Sequence, residues 1–281
     1  MKNSIAIVIL FFNKCTETIE CIESFLPSKQ KIYLLNNGSN KTLWFNIKLR
    51  YQNNEQIVFI HSDENLGPSK GRNKLIEDSK EEWLFFVDND ITILEQYEWK
   101  DRLNDLILKY PSIEIFCPRL FNVHENEYVK HPNFLLKNST ISLIQSNDKY
   151  TNYFPSGASI IKRSIFKNYG LFAEDIFAFE DYEYAIRMLV SPKYQLKVQN
   201  ILDINLCHNH RYQKNKSDKQ AVEVRYNTEK LASSFNWIQK KHSITFEHDW
   251  DWWSKKQLYD MTKKGSYFQR IKGWLRLIYS K

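Results

Sequence analysis

The stretch from Trp83 to Asp90, WLFFVDND, decides the prediction of the fold, because five apolar residues lead directly into a turn with two carboxylates. A short apolar run bounded by turn residues is typical of a β-strand that is buried on both faces. Three further runs of this kind precede it in the chain, at 4–12, 31–35 and 57–60.

Apolar residues with helical spacing lie between these runs. Ile19, Ile22 and Phe25 fall on one face of a helix over 16–25, and a second helix is predicted over 69–79. Strands joined by helical crossovers predict an α/β, Rossmann-like fold with a mainly parallel sheet and helices on both sides. In such sheets ligands bind beyond the carboxyl ends of the strands.

The composition is that of a globular protein. Of the 281 residues, 42% are hydrophobic and 26% are charged, which argues against a disordered, collagenous or coiled-coil chain. No run reaches the roughly 18 to 20 uncharged apolar residues of a membrane-spanning helix. The four cysteines include no CxxC pair, so we predict neither a zinc ribbon nor a disulfide framework, and we expect a cytoplasmic protein.

Positive charge is concentrated in the last quarter of the chain. Residues 1–210 contain 24 basic and 26 acidic residues, a net charge of −2, whereas 211–281 contain 16 basic and 7 acidic residues, a net charge of +9. Five of the eight tryptophans also lie in 211–281. We therefore predict a boundary near residue 210, followed by a basic, Trp-rich helical extension that suits an anionic, partly apolar surface.

The carboxylates after the fourth apolar run are candidate ligands of a cation. Residues i and i+2 of an extended segment point the same way, so Asp88 and Asp90 are able to offer oxygens to one hard cation or to a metal-bound diphosphate. The alternative is an exposed turn that caps the next helix.

The segment 65–73, NLGPSKGRN, predicts an anion site, because a Gly/Pro turn leads into a helix whose first turns carry Lys70 and Arg72. It matches neither a Walker loop nor a GxGxxG motif. The alternative is a capped helix with solvated charges.

Two more polar clusters lie further along the chain. Glu180 and Asp181 stand among aromatic residues, where a partly buried carboxylate is able to serve as a general base; acids that merely favour a helix N-terminus are the alternative. His208 and His210 follow the apolar run 201–206. One imidazole there is able to complete a metal shell, although a pair of surface histidines would give the same pattern.

The order of these motifs is more specific than any one of them. The series VILFFN, NNGSN, NLGPSKGRN, FVDND, SGASIIKR and FEDYEYAIRM resembles the family 2 glycosyltransferases of the GT-A fold, over residues 5 to about 210. The resemblance implies an inverting transfer of a sugar from a nucleotide diphosphate donor, a UDP-sugar, with Mn²⁺ or Mg²⁺ as cofactor. It also divides the chain into a nucleotide-sugar-binding half at 1–100, an acceptor-binding half at 101–210 and the extension at 211–281.

The resemblance implies roles for individual residues, grouped by the part of the reaction that they serve. Asp181 is the expected catalytic base. The expected nucleotide-sugar ligands are Leu10, Phe12, Asn36, Gly67, Arg72, Asp88 and Asn89. The residues expected to border the donor sugar and the acceptor are Ser156, Gly157 and Glu180. The expected metal ligands are Asp90, Asp88, His208 and His210.

The chain departs from the family's usual pattern at Asn36, where an acid is common, and at Asn40 and Lys41, where another acid usually follows the GS pair. An amide oxygen is still able to accept a hydrogen bond from a base N–H. Two other classes stay open at this point. A nucleic-acid-binding protein would explain the basic extension, and a nucleotidyltransferase, which releases pyrophosphate, would share the sheet and its carboxylates.

The end of the chain has the pattern of an interfacial helix. From Met261 onward there are six basic residues and no acidic one, and Phe268, Ile271 and Trp274 fall on one helical arc with Leu275 and Ile278. We expect 261–281 to bind an anionic membrane surface at its cytoplasmic face, where lipid-linked glycan acceptors or lipopolysaccharide intermediates are assembled. Packing of this helix on the catalytic lobe or on a second subunit is the alternative.

Overall fold

The computed structural model describes residues 3–146, 148–193, 198–209 and 227–249. The strands are β1 (Ile5–Phe11), β2 (Lys31–Asn37), β3 (Ile57–Ser62), β4 (Trp83–Asp88), β5 (Ile91–Ile93), β6 (Ile115–Asn122), β7 (Glu127–Tyr128), β8 (His131–Lys137), β9 (Thr140–Ser146), β10 (Tyr150–Thr151), β11 (Ala158–Lys162), β12 (Val198–His208) and β13 (Thr245–Phe246). The helices are α1 (Cys15–Phe25), α2 (Lys41–Tyr51), α3 (Gly67–Asp78), α4 (Trp99–Lys109), α5 (Ser164–Tyr169), α6 (Glu180–Val190) and α7 (Thr228–His242).

Ten strands form the main sheet, in the order β10-β12-β6-β11-β4-β1-β2-β3, with β5 beside β12 and β7 beside β6. β1, β2, β3 and β4 are parallel neighbours, whereas β11 is antiparallel to β4 and β6. The predicted α/β class with a mixed, mainly parallel sheet is therefore confirmed. The pairing of Leu10 with Asp88 and of Phe11 with Asn36 brings the carboxyl ends of β1, β2 and β4 to one edge.

The apolar run that predicts β4 fills the core on both faces of the sheet. Trp83, Phe85 and Val87 pack with the cluster that includes α1, α2 and α4, while Leu84 and Phe86 pack with the cluster under α3, α5 and α6. All five are at most 3% exposed. This alternation explains why the run is apolar throughout rather than at every second residue.

A second, three-stranded sheet is made by β8, β9 and β13. It covers a third apolar cluster, to which α6 and α7 also contribute. Polar and apolar residues follow one another without a clear period over 124–152, and the reason lies in the outer face of the β8–β9 hairpin. Leu135 and Ile144 are 50% and 48% exposed there, so the polar/apolar alternation that marks a half-buried strand is absent.

The described part of the extension packs on α6 and on the β8–β9 sheet. Asn227 caps α7 by accepting a hydrogen bond from the backbone N–H of Lys230, and β13 pairs with β9 in parallel. His242 on α7 lies 2.8 Å from the buried Glu183 of α6, which also pairs with Arg187. Burial alone raises the pKa of Glu183, but the bonds from His242 and Arg187 outweigh it and lower the pKa on balance.

In the ranges that the structure describes, no helix is both long and apolar enough to cross a bilayer. The helix predicted over 261–281 lies outside the described residues. The four cysteines are free thiols.

Candidate active site

Asp88, the last residue of β4, and Asp90, in the turn that follows, take part in different contacts. The chain turns at residues 89 and 90, so the spacing of an extended segment does not continue beyond Asp88. Asp88 Oδ1 lies 3.0 Å from Arg72 Nη2, whereas Asp90 Oδ2 lies 2.7 Å from Lys14 Nζ and Asp90 Oδ1 lies 3.3 Å from His208 Nε2. Asn89 donates to the buried hydroxyl of Thr18 on α1 at 2.9 Å, which holds the turn against that helix.

Arg72 joins the end of β4 to the start of α6. Besides Asp88 at the end of β4, its guanidinium contacts Glu180 at the start of α6, with Nη1 2.6 Å from Oε1. The hydroxyl of Ser156 donates to the same Glu180 oxygen at 3.0 Å. Arg72 is 6% exposed; burial by itself lowers the pKa of Arg72, and the neighbouring carboxylates outweigh it.

Gly157 allows the close approach of β11 to the end of β4. The backbone N–H of Asp88 donates to the Gly157 carbonyl at 2.8 Å. A Cβ atom at residue 157 would lie 2.3 Å from atoms of the Asp88 carboxyl group. A side chain there would therefore displace Asp88 from Arg72.

Asp181 is held at the first turn of α6, after Phe179 in a left-handed conformation with φ 67°. Its Oδ2 accepts a hydrogen bond from the Tyr153 hydroxyl at 2.6 Å, and its Oδ1 accepts one from the Tyr182 N–H at 2.9 Å. Burial, followed by the charge of Glu180, raises the pKa of Asp181 to about 6. A carboxylate with this pKa is largely ionised at neutral pH and still able to take a proton.

The ends of β1 and β2 form a tightly packed part of the site. The side chain of Leu10 fills the space above Gly71, where a Cβ atom would lie 2.5 Å from Leu10 Cδ1. Phe12 follows β1 and is partly buried. Asn36 is 1% exposed; its Oδ1 accepts from the Ser39 N–H at 3.1 Å and its Nδ2 lies 2.9 Å from His61 Nδ1.

The loop after β2 packs against the start of α3. Asn37 Oδ1 accepts the Leu66 N–H at 2.8 Å, and Asn37 Nδ2 lies 3.4 Å from the Gly67 carbonyl oxygen. Gly38 has φ +69°, and a Cβ atom there would lie 2.4 Å from the Asn65 nitrogen. The NNGSN motif therefore positions the N-terminus of α3, near which the hydroxyl of Ser69 is buried without a hydrogen-bond partner in the described ranges.

The structure thus gathers most of the predicted site residues into two neighbouring groups. The first contains Arg72, Asp88, Ser156, Gly157, Glu180 and Asp181. The second contains Asp90 and His208. His210 lies outside the described residues.

Three residues of the site, Lys14, Tyr153 and His61, are absent from the sequence predictions. Lys14 and Tyr153 reach Asp90 and Asp181 only through the tertiary fold. His61 has a usable signal, because β2 and β3 are parallel neighbours and the register sets His61 beside Asn36. Asn36 and His61 each come directly after a predicted strand, at 31–35 and 57–60.

The second group fits a divalent cation in part. A carboxylate oxygen and an imidazole nitrogen are ligands that Mn²⁺ accepts, and Asp90 and His208 lie within 3.3 Å of each other. The Lys14 ammonium shows that the Asp90 carboxylate favours positive charge. Within the described ranges, however, no three side chains of His, Cys, Asp or Glu converge on one point, and Asp88 faces Arg72.

The fold is that of a GT-A glycosyltransferase. The protein-family model "Glycosyl transferase family 2" matches residues 6–170. The chain therefore belongs to glycosyl transferase family 2, and the protein is a glycosyltransferase that uses a nucleotide-sugar.

One protein of similar sequence and one solved structure of similar fold can be compared with this chain. An uncharacterized protein of Haemophilus influenzae is 25% identical over 173 residues, which are 59% of this chain and 92% of that protein. S. aureus TarS 1–349 in complex with UDP-GlcNAc has a TM-score of 0.63 at 13% identity, covering 99% of this chain and 76% of that one.

Two other solved structures contain a metal ion. GalNAc-T7 with UDP, GalNAc and Mn²⁺ has a TM-score of 0.57 at 16% identity, with coverage of 93% of this chain and 58% of that one. The mannosyltransferase PcManGT of Pyrobaculum calidifontis, in complex with GDP-Man and Mn²⁺, has a TM-score of 0.55 at 11% identity, with coverage of 84% and 64%. At these identities the likeness shows the fold.

Proposed function

We propose that this enzyme transfers a sugar from a UDP-sugar to a hydroxyl group of a glycan or lipid-linked glycan, with inversion at the anomeric carbon. The observation that carries the proposal is Asp181, a carboxylate with a pKa of about 6 next to the Arg72 network at the edge of the sheet. It has the properties of a general base for an acceptor hydroxyl.

The proposed step begins when Asp181 takes the proton of the acceptor hydroxyl as that oxygen attacks the anomeric carbon. Attack from the face opposite the leaving nucleotide inverts the configuration. General-base catalysis of this kind typically contributes about 10² to 10⁴ in rate. Glu180 lies beside the base but is paired with Arg72 and Ser156, so it is suited to orienting the donor sugar and the acceptor.

Positive groups are proposed to hold the leaving nucleoside diphosphate. Arg72 is held by the carboxylates of Asp88 and Glu180. Lys14 and His208 contact the Asp90 carboxylate. Asp90 and His208 would hold Mn²⁺ or Mg²⁺. When bound, the ion supplies charge neutralisation for the leaving diphosphate. The Mn²⁺ named in the GalNAc-T7 and PcManGT complexes supports this assignment.

A uridine nucleotide is proposed because TarS and GalNAc-T7 are described with UDP-GlcNAc and UDP. In this chain both functional groups of the buried Asn36 amide already contact Ser39 and His61. We therefore assign Asn36 to shaping the base pocket together with His61.

We further propose that the protein is cytoplasmic and peripheral at the inner face of a membrane, bound through 261–281. The basic, amphipathic pattern of that segment supports this, since each basic residue near an anionic leaflet is worth about 1 kcal/mol. Vesicles rich in phosphatidylserine should sediment the full chain, and a chain ending at Asp260 should bind them less. Equal binding by both forms would remove the anchor.

The donor is tested by thermal shift with UDP, GDP, CDP and dTDP, each with Mn²⁺. A ligand at 100 times its dissociation constant stabilises a fold by about 2.7 kcal/mol, which such an assay detects. We expect UDP to give the largest shift. Incubation with UDP-sugars and acceptor should then release UDP; release of pyrophosphate, or a larger shift with another nucleotide, would contradict the proposal.

A further inference from the structure

Each oxygen of the Asp181 carboxylate accepts a hydrogen bond. The Tyr153 hydroxyl is 2.6 Å from Oδ2, and the Tyr182 N–H is 2.9 Å from Oδ1. The second of these comes from the helix backbone itself. The first reaches across from a segment 28 residues earlier in the chain, so it is specific to this tyrosine.

Tyr153 is itself fixed on several sides. It is 7% exposed, and its ring lies 5.4 Å from that of Tyr182 in an edge-to-face arrangement and 5.9 Å from that of Phe134. Its backbone N–H donates to the Thr151 hydroxyl at 3.3 Å. Side chains packed in this way have little rotational freedom, so the hydroxyl keeps its direction.

Burial, followed by the charge of Asp181, raises the pKa of the Tyr153 hydroxyl well above its ordinary value. The phenol is therefore protonated throughout the working range of an enzyme. A neutral hydroxyl beside a carboxylate donates a hydrogen bond to it. The carboxylate has about four lone-pair positions, so it is able to accept from a second proton donor at the same time.

We propose that Tyr153 is the positioning residue of the catalytic base, its hydroxyl fixing the orientation in which the Asp181 carboxylate receives the proton of the acceptor hydroxyl. This inference rests on the proposed function, because it takes Asp181 as the base. Rigid placement of a base matters because small displacements of reacting groups slow a reaction strongly.

The charged and titratable groups around Asp181 predict the direction of the effect. Glu180 raises the pKa of Asp181, while Arg72, the Tyr182 N–H and the Tyr153 hydroxyl lower it. Tyr182 contributes a second phenol on α6, and the ring of His131 on β8 lies 5.9 Å from that of Tyr153. Loss of the Tyr153 hydroxyl removes a donor to the ionised form, so the pKa of Asp181 should rise.

The test compares Tyr153→Phe with the matched control Tyr184→Phe. Tyr184 is a fully buried tyrosine on α6, and its hydroxyl donates to the Gly170 carbonyl at 2.6 Å, away from Asp181. In Tyr153→Phe the acid limb of the kcat/KM profile should move up by about one pH unit, the size expected for one hydrogen bond to a charged group. Well below pH 6, kcat should fall about tenfold with the donor KM unchanged, and Tyr184→Phe should leave the limb in place.

A second readout needs no substrate. With ¹³C at the aspartate carboxyl carbons, the Asp181 resonance is assigned by its loss in Asp181→Asn, and its titration midpoint should move upward in Tyr153→Phe alone. An unmoved midpoint together with an unmoved acid limb would overturn the positioning role while leaving the base assignment intact. Wild-type turnover by Asp181→Asn would instead overturn the base, and the positioning role with it.

Discussion

Replacing Arg72 by methionine should destabilise the protein far more than the loss of an ordinary ion pair. The side chains of Arg72 and Glu180 are 8% and 12% exposed and lie 2.6 Å apart, so methionine leaves the Glu180 carboxylate in a buried site with the Ser156 hydroxyl as its described donor. Removing one partner of a buried pair costs about 3 to 5 kcal/mol. The bond to Asp88 adds little, since that side chain is 50% exposed and exposed pairs contribute about 0 to 1 kcal/mol.

Thermal denaturation measures this cost. At about 2 to 4 °C per kcal/mol for a chain approaching this size, Arg72→Met should lower Tm by about 6 to 20 °C. The double variant Arg72→Met/Glu180→Gln removes both charges and should recover more than half of that loss, without recovering transfer. Arg50→Met is the control, because Arg50 pairs with Glu23 at the surface, with side chains 52% and 45% exposed; it should leave Tm unchanged.

The outcome separates a buried, compensated network from a surface contact. A drop in Tm for Arg72→Met no larger than that of the Arg50 control would refute the reasoning. So would a double variant less stable than the single one, since the cost would then not arise from an uncompensated Glu180.

Three further changes test the site around Asp88 and Asp90. Gly157→Ala places a Cβ atom 2.3 Å from the Asp88 carboxyl group, and overpacking of this kind costs about 1 to 3 kcal/mol. We therefore expect a raised donor KM in steady-state assays. An unchanged donor KM would show that Asp88 moves freely. Lys14→Met removes the ammonium 2.7 Å from Asp90 Oδ2 and should tighten Mn²⁺ binding, measured by calorimetry, by about tenfold, or roughly 1.4 kcal/mol. His208→Ala should weaken Mn²⁺ binding. Lys74→Met, which alters an ion pair with Asp78 on α3, should not change it. Weaker Mn²⁺ binding by Lys14→Met would contradict the expectation that the Lys14 ammonium and Mn²⁺ compete for Asp90.

The strands that carry the site could be predicted because they are buried on both faces. β1 and β4 are continuous apolar runs, and β2 is apolar from Ile32 to Leu35. Polar residues begin where these runs end, so the edge with Asn36, Asp88 and Asp90 follows from pattern alone. The helix α2 is harder to find, because Phe45 and Leu49 on it are 61% and 54% exposed and blur the spacing of its buried residues.

The contacts that tune the site could not be read from spacing. Tyr153 directly follows a segment without a clear period, 124–152, and Lys14 follows a strand like any surface lysine. Each reaches its carboxylate across the fold. The separation of Asp88 from Asp90 depends on the turn at 89–90 and on Arg72, which is drawn to Asp88 because it also neutralises Glu180. Side-chain contacts of this kind depend on the packing of several helices and strands at once.

The central claim is that Asp181 is the general base of sugar transfer, and Asp181→Asn tests it most directly. Asparagine keeps the size of the side chain and an acceptor for the Tyr153 hydroxyl, but it is unable to take a proton. Calorimetry with UDP and Mn²⁺ should give wild-type affinity for this variant, while release of UDP in the presence of donor and acceptor should fall by about 10² or more. Near-wild-type turnover at unchanged nucleotide affinity would contradict the account.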